Sequence, residues 1–133
     1  RCRTAALGRD SKMLYLAGGD ARKITCEIVA DAWHAGDSVA EVVLRETAGL
    51  LAIWLGNVID LLEPDVIVVG GGVGELMSEW FDFIHAVLPK WSVNQRCGEI
   101  PLILGKYKAD AGIAGAAALF MSDAARQVVS RRP

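Results

Sequence analysis

A hydrophobic strand that runs directly into glycine sets the frame for this chain. Asp65-Val66-Ile67-Val68-Val69 is dominated by β-branched residues and passes without a break into Gly70-Gly71-Gly72-Val73-Gly74. An apolar run of this kind suits a strand covered on both faces, as in parallel sheets. Glycine directly after it leaves bare backbone at the carboxyl edge of the sheet, where α/β proteins bind their ligands. Glycine is needed there if a side chain would collide with a ligand, or if φ must be positive. A helix is expected next, from about Glu75 to Leu88 and stopped by Pro89, its free N–H groups close to the loop. A purely structural turn is the other reading of the same residues.

The flanking sequence supports an alternation of helices and strands. Thr25 is placed to cap a helix with Glu27 in its first turn. Ile28, Val29, Ala32 and Trp33 form its apolar stripe, and Gly36 ends it. His34, in the last turn, reads as a solvated or dipole-stabilised side chain. Asp37 then caps a long helix from about Ser38 to Leu62, ended by Pro64. Its second half, Leu50-Leu51-Ala52-Ile53-Trp54-Leu55, is apolar on nearly every side and is expected to be buried all round. Ile100 to Leu104 is a second strand, and a last helix begins near Asp110, its N-cap. Helix, strand, glycine loop, helix, strand, helix is an α/β order with a parallel sheet. Met13 to Ala17 is a short apolar run closed by the Gly18-Gly19-Asp20 turn. Arg1 to Asp10 reads as the tail of a helix, and Ser130 to Pro133 as a frayed end.

Composition narrows the function classes. The 133 residues fit one domain, and 53% hydrophobic against 23% charged residues excludes a disordered, solvated chain. Lys and Arg number 14 against 16 Asp and Glu, a net charge of −2, whereas a nucleic-acid binder that neutralises phosphates carries a basic excess. Cys2, Cys26 and Cys97 are scattered, with no C-x-x-C pair, and His34 and His85 lie far apart, so neither a zinc site nor any other metal site is expected. Unpaired thiols suit a reducing cytoplasm. The uncharged stretch from Thr47 to Ile59 is shorter than a membrane span needs, so no membrane partner is expected. Two phosphate motifs fail: Gly105-Lys106 has Ile100 where a P-loop needs glycine, and a dinucleotide fingerprint begun at Gly70 meets Glu75 at its last position.

The order of motifs carries a resemblance. Ile24-Thr25, Ala35-Gly36-Asp37, the continuous block from Asn57 through Pro64 and Asp65 to Val73, and Ala109-Asp110-Ala111-Gly112-Ile113-Ala114-Gly115-Ala116-Ala117 occur in sequence. Residues 24–120 resemble the C-terminal half of the ROK family (repressors, open reading frames and sugar kinases), typified by bacterial glucokinases. The central block is specific, and either end alone is weak. The resemblance implies an α/β lobe of the actin-like ATPase (ribonuclease H-like) fold, a mixed sheet packed with helices. Residues 1–133 would be a single domain, the C-terminal nucleotide-side lobe, with 131–133 as a tail. It implies that Gly70, Gly71 and Gly72, with Val73, bind nucleotide, lying against adenine and ribose. It also implies that the small residues after Asp110 permit close helix approach at the lobe junction. Trp54 departs from the pattern, since the family often carries a small residue there.

The same resemblance marks what is not in this sequence. The D-x-G-G-T phosphate motif, the Asn-Asp sugar site with the catalytic base, the G-T-G-I-G loop and the Cys-rich zinc motif are missing, so no residue here is assigned catalysis. The implied parent is an ATP-dependent hexose kinase using ATP/ADP with Mg²⁺, its partners an N-terminal lobe and a hexose. A sugar-sensing regulator with an upstream helix-turn-helix shares this half and is the alternative. A structural, dimerising domain is the third reading, because the apolar helix Leu50 to Leu62 would be exposed without neighbours.

Overall fold

The computed structural model describes residues 11–107 and 110–121. The expectations for Arg1 to Asp10 and for the C-terminal tail lie outside the described residues. The chain order is α1 (Lys12–Leu16), a 3₁₀ turn (Ala21–Lys23), α2 (Cys26–His34), α3 (Ser38–Leu62), β1 (Ile67–Val69), α4 (Gly72–Ser78), α5 (Phe81–Val87), a second 3₁₀ turn (Leu88–Lys90), β2 (Leu102–Leu104) and α6 (Ala111–Met121).

Local chemistry places the first half. The Ser11 hydroxyl accepts from Met13 N–H and caps α1, which makes a single helical turn of the apolar run before Gly18 and Gly19 adopt φ of 65° and 82°. Thr25 caps α2 by accepting from Ile28 N–H. Gly36, at φ 82°, ends it, with Gly36 N–H on Trp33 O and Asp37 N–H on Ala32 O. Only a residue without Cβ takes that left-handed conformation at no steric cost.

Asp37 does more than cap α3. Its Oδ1 accepts from Val39 and Ala40 N–H at 2.7 and 3.1 Å, and its Oδ2 from the Ser11 hydroxyl and Lys12 N–H at 2.8 and 2.6 Å. One buried carboxylate therefore fastens the starts of α1 and α3 together. Burial alone would disfavour its charge. The hydrogen bonds from Ala40, Ser11, Val39 and Lys12 outweigh that and hold the Asp37 carboxyl below its ordinary value. The Lys12 ammonium also donates to Ala35 O at the end of α2.

The core lies along one side of α3, where Val39, Leu44, Ala48, Ala52, Leu55 and Ile59 are buried. Leu55 and Ile59 meet Ile84 of α5 and Leu88 in the same apolar cluster. Gly56 brings the following segment close: a Cβ there would sit 2.8 Å from Trp91 O. One turn later, Asp60 accepts from the Ser92 hydroxyl at 2.5 Å and from Val93 and Asn94 N–H at 3.1 Å, which pins that segment to α3. The Ser92 bond, ahead of the two backbone bonds, keeps the Asp60 carboxyl below its ordinary value.

Three expectations change. The helix expected from Glu75 to Leu88 begins earlier, at Gly72, and is broken in two at Glu79 and Trp80. Trp80 takes φ −107° and ψ 6°, its N–H turns back to Met77 O, and its buried indole packs 5.3 Å from Trp33 and edge-on to Phe83. A straight helix gives way to that burial. The second piece ends at Val87, next to the expected Leu88, and Pro89 sits inside the turn Leu88–Lys90 that follows. Second, the apolar half of α3 is buried on one side only: Leu50, Leu61 and Leu62 are exposed, and Trp54 is 60% exposed, so its bulk is accommodated by pointing outward. By length and hydropathy alone α3 could cross a membrane, yet its buried face is the centre of this core.

Third, the strands are shorter than expected and covered on one face. β1 and β2 are parallel, in the register Ile67 to Leu102, Val68 to Ile103 and Val69 to Leu104. Ile67 and Val69 pack towards the core, against α4 among others, while Val68 is 59% exposed and Val66 and Ile103 are exposed beside it. Strand residues alternate between faces, so a one-sided cover exposes every second side chain. Beyond β2, Asp110 N–H bonds to Tyr107 O immediately before α6. Among the described residues, no atom lies within 4 Å of a Cβ built at Gly112 or Gly115.

Candidate functional site

The glycines after β1 are not equivalent. Gly74 is a packing glycine, since a Cβ there would meet Val69 Cγ1 at 3.0 Å where α4 crosses the strand. Gly71 is a conformational glycine at φ 84° and ψ 168°, the residue before α4, and its carbonyl accepts from Glu75 N–H. Gly70 and Gly72 are neither. Their φ angles are not positive, and nothing lies within 4 Å of a Cβ at either. No packing within the described residues requires glycine there, and the space in front of both is open.

Beside Gly72 the space continues into a cleft of about 810 Å³ between α4 and α2. Gly72, Val73, Glu75, Leu76 and Glu79 form one wall. Thr25, Cys26, Glu27, Ala30 and His34 form the other. The walls are joined at their carboxyl-terminal ends, where His34 Nε2 lies 3.1 and 3.3 Å from the two carboxylate oxygens of Glu79. Directly beside that contact, Trp33 and Trp80 pack together, and the Arg45 guanidinium lies 5.6 Å from the Trp80 ring centroid and 5.5 Å from that of Phe83. At the other end the Thr25 hydroxyl, followed by the backbone N–H of Glu27, holds the Glu27 carboxyl below its ordinary value.

Of the expected site residues, Gly72 and Val73 line the cleft, and Gly70 and Gly71 form the turn that leads into it. The opposite wall was not expected from sequence. Thr25 caps α2 as expected, and His34 is half exposed in the last turn and pairs with Glu79; both residues also face the cleft. Its signal was present: Cys26, Ala30 and His34 recur every four residues, a small and polar stripe beside the buried Val29 and Ala32.

Three carboxylates and one imidazole line the cleft, without Lys or Arg, and no group of three or more His, Cys, Asp or Glu gathers for a metal ion among the described residues. Asp60 is occupied in fastening the 92–94 segment, so it serves structure.

An α/β unit with a glycine turn at a strand's carboxyl edge, opening on a cleft between helices, has the arrangement at which α/β proteins place their ligands. Comparison makes the class specific: the ROK family model matches residues 4–123, and the chain belongs to that family. It is 37% identical over 119 residues to an N-acetyl-D-glucosamine kinase of Pasteurella multocida, a match that takes in 86% of this chain and 37% of that enzyme. It is 35% identical to the N-acetyl-D-glucosamine kinase of Mannheimia succiniciproducens, with the same coverage. Among solved structures, it resembles a ROK family glucokinase from Streptomyces griseus in complex with glucose and AMPPNP, with TM-score 0.70 and 27% identity over 81% of this chain and 35% of that one. The chain thus spans little more than a third of the length of the relatives it matches.

Proposed function

We propose that this chain is the nucleotide-side lobe of an ATP-dependent hexose kinase with the actin-like ATPase fold. The turn Gly70 to Val73 receives the nucleotide, and the cleft between α2 and α4 holds its nucleoside end. The observation that carries this is Gly72, a glycine that neither its backbone conformation nor packing among the described residues demands, on the wall of an open cleft, with Gly70 equally uncrowded in the turn before it. The AMPPNP of the glucokinase neighbour supports an adenine nucleotide as the ligand.

The parent reaction is transfer of the terminal phosphoryl group of ATP to the 6-hydroxyl of a hexose, with N-acetylglucosamine and glucose the first sugars to test, as the relatives' substrates. That chemistry needs a general base at the hydroxyl and cationic groups around the phosphoryl group. Among the described residues that line the cleft there is no Lys or Arg, and we assign the cationic groups and the base at the sugar hydroxyl to the rest of the parent. Mg²⁺ would neutralise charge on the phosphates; no acidic cluster among the described residues is gathered to hold it, so it would arrive with the nucleotide. Kinase relatives and an intact glycine run favour this reading over the regulator. Titration of the chain with ADP and AMPPNP, observed by protein NMR, should shift the Gly70 to Val73 amides. Shifts confined to other regions would refute the site, and sugar phosphorylation by the 133-residue chain alone would refute the division of labour.

A further inference from the structure

We propose that Glu79, positioned by His34, selects the base of the nucleotide by accepting a hydrogen bond from the exocyclic amino group of a 6-aminopurine. This rests on the nucleotide reading of the cleft. Along α4 and its end, Val73, Leu76 and Glu79 recur every three residues and share one wall. Along α2, Cys26, Ala30 and His34 recur every four and share the other. Each stripe is small or apolar at its start and middle and carries a polar ring or carboxylate at its end. A planar heterocycle between such walls buries its faces against apolar atoms and presents an edge to the closed end.

The chemistry of that end fixes what the edge must carry. A carboxylate accepts hydrogen bonds and donates none, and its two oxygens offer about four acceptor sites. His34 engages Glu79 through a single nitrogen, and the Glu79 side chain is still 48% exposed, so acceptor capacity remains on the cleft side. Among the described residues, no Lys or Arg lines the cleft to receive a carbonyl edge instead. His34 reaches Glu79 across 45 residues of sequence, and with Trp33 packed on Trp80 it fixes where the carboxylate stands. His34 is therefore a positioning residue, and Glu79 the group that touches the base.

The test compares adenosine with purine riboside, which lacks only the amino group, by NMR titration of the whole chain. Adenosine should bind about tenfold more tightly, the worth of one hydrogen bond to a charged acceptor at a half-exposed site. Glu79→Ala should bring the ratio to about one. Glu79→Gln, whose amide oxygen still accepts, should retain part of it, and His34→Ala should lower it. Far-UV circular dichroism checks that each variant folds; should Glu79→Ala fail to fold, the Gln and His34 variants decide. Equal binding of the two nucleosides to the wild type, a ratio untouched by the variants, or a preference for guanosine would overturn base selection while leaving a nucleotide cleft. Binding of neither nucleoside, with no response to ADP, would overturn the nucleotide reading and this inference with it.

Discussion

Asp37 offers the sharpest test of what holds the first half of the chain together. Its four hydrogen bonds divide by oxygen: Oδ1 caps α3 through Val39 and Ala40, and Oδ2 fastens α1 through Ser11 and Lys12. Asp37→Ala removes both. Loss of the cap costs about 1 kcal/mol. The buried Ser11 hydroxyl and the part-buried Lys12 N–H, left without their acceptor, cost about 1 kcal/mol each. Together the loss is about 3 kcal/mol. Asp37→Asn keeps the Oδ1 acceptor but sets an amide N–H against Lys12 N–H, and should cost about 1 to 2 kcal/mol. The pH dependence gives a second handle. Because the folded carboxyl lies below its ordinary value, its contribution is complete above the unfolded pKa of about 4 and disappears as the pH falls through the folded value. Urea unfolding followed by far-UV circular dichroism should therefore show the gap between wild type and Asp37→Asn full at pH 7 and closing below about pH 4. An Asp37→Ala variant within about 0.5 kcal/mol of wild type at pH 7, or a gap that stays constant in acid, would refute this account of the junction.

Three other perturbations separate conformation, packing and binding. Gly56→Ala should destabilise the chain by about 1 to 3 kcal/mol, because the new methyl meets the Trp91 carbonyl at 2.8 Å and backbone must move; a gain in thermal midpoint from the better helix former would contradict the close approach. Gly71→Val, at φ 84°, should cost at least about 1 kcal/mol in folding and, in the full-length parent, raise KM for ATP much more than KM for sugar; equal rises in both would mean general damage. Asp60→Ala should lower the hydrogen-exchange protection of Val93 and Asn94 selectively, and their protection relative to intrinsic exchange in the wild type should fall only as the pH drops below the ordinary carboxyl range; unchanged protection would show that Gly56 alone docks the segment.

The legible parts of the sequence are those where the deciding chemistry is local. The caps made by Thr25 and by Asp37 Oδ1, and the turn at Gly36, are local, and they fix α2 and the start of α3 where expected. The glycine turn is legible for the same reason, as Gly71 and Gly74 answer to their own backbone and to Val69. What escaped is decided at a distance. The break before α5 has no glycine or proline to announce it, only Trp80 turning to reach Trp33. An apolar strand looks the same whether one or both of its faces are covered, so Val68 could not be read as exposed. Half of the cleft is formed by α2, which touches α4 only because the chain folds back across some 45 residues to bring His34 to Glu79.

The tryptophan pair behind the cleft gives the protein an optical gauge of its own. Trp33 and Trp80 are the chain neighbours of His34 and Glu79, one on each wall, with their rings 5.3 Å apart. Indoles at that separation couple as chromophores, so any ligand that draws the walls together or forces them apart alters their shared emission. Trp54 and Trp91, exposed and remote from the cleft lining, supply a steady background against which that change is read. Occupancy of the cleft can thus be followed by the protein's intrinsic fluorescence, without a label.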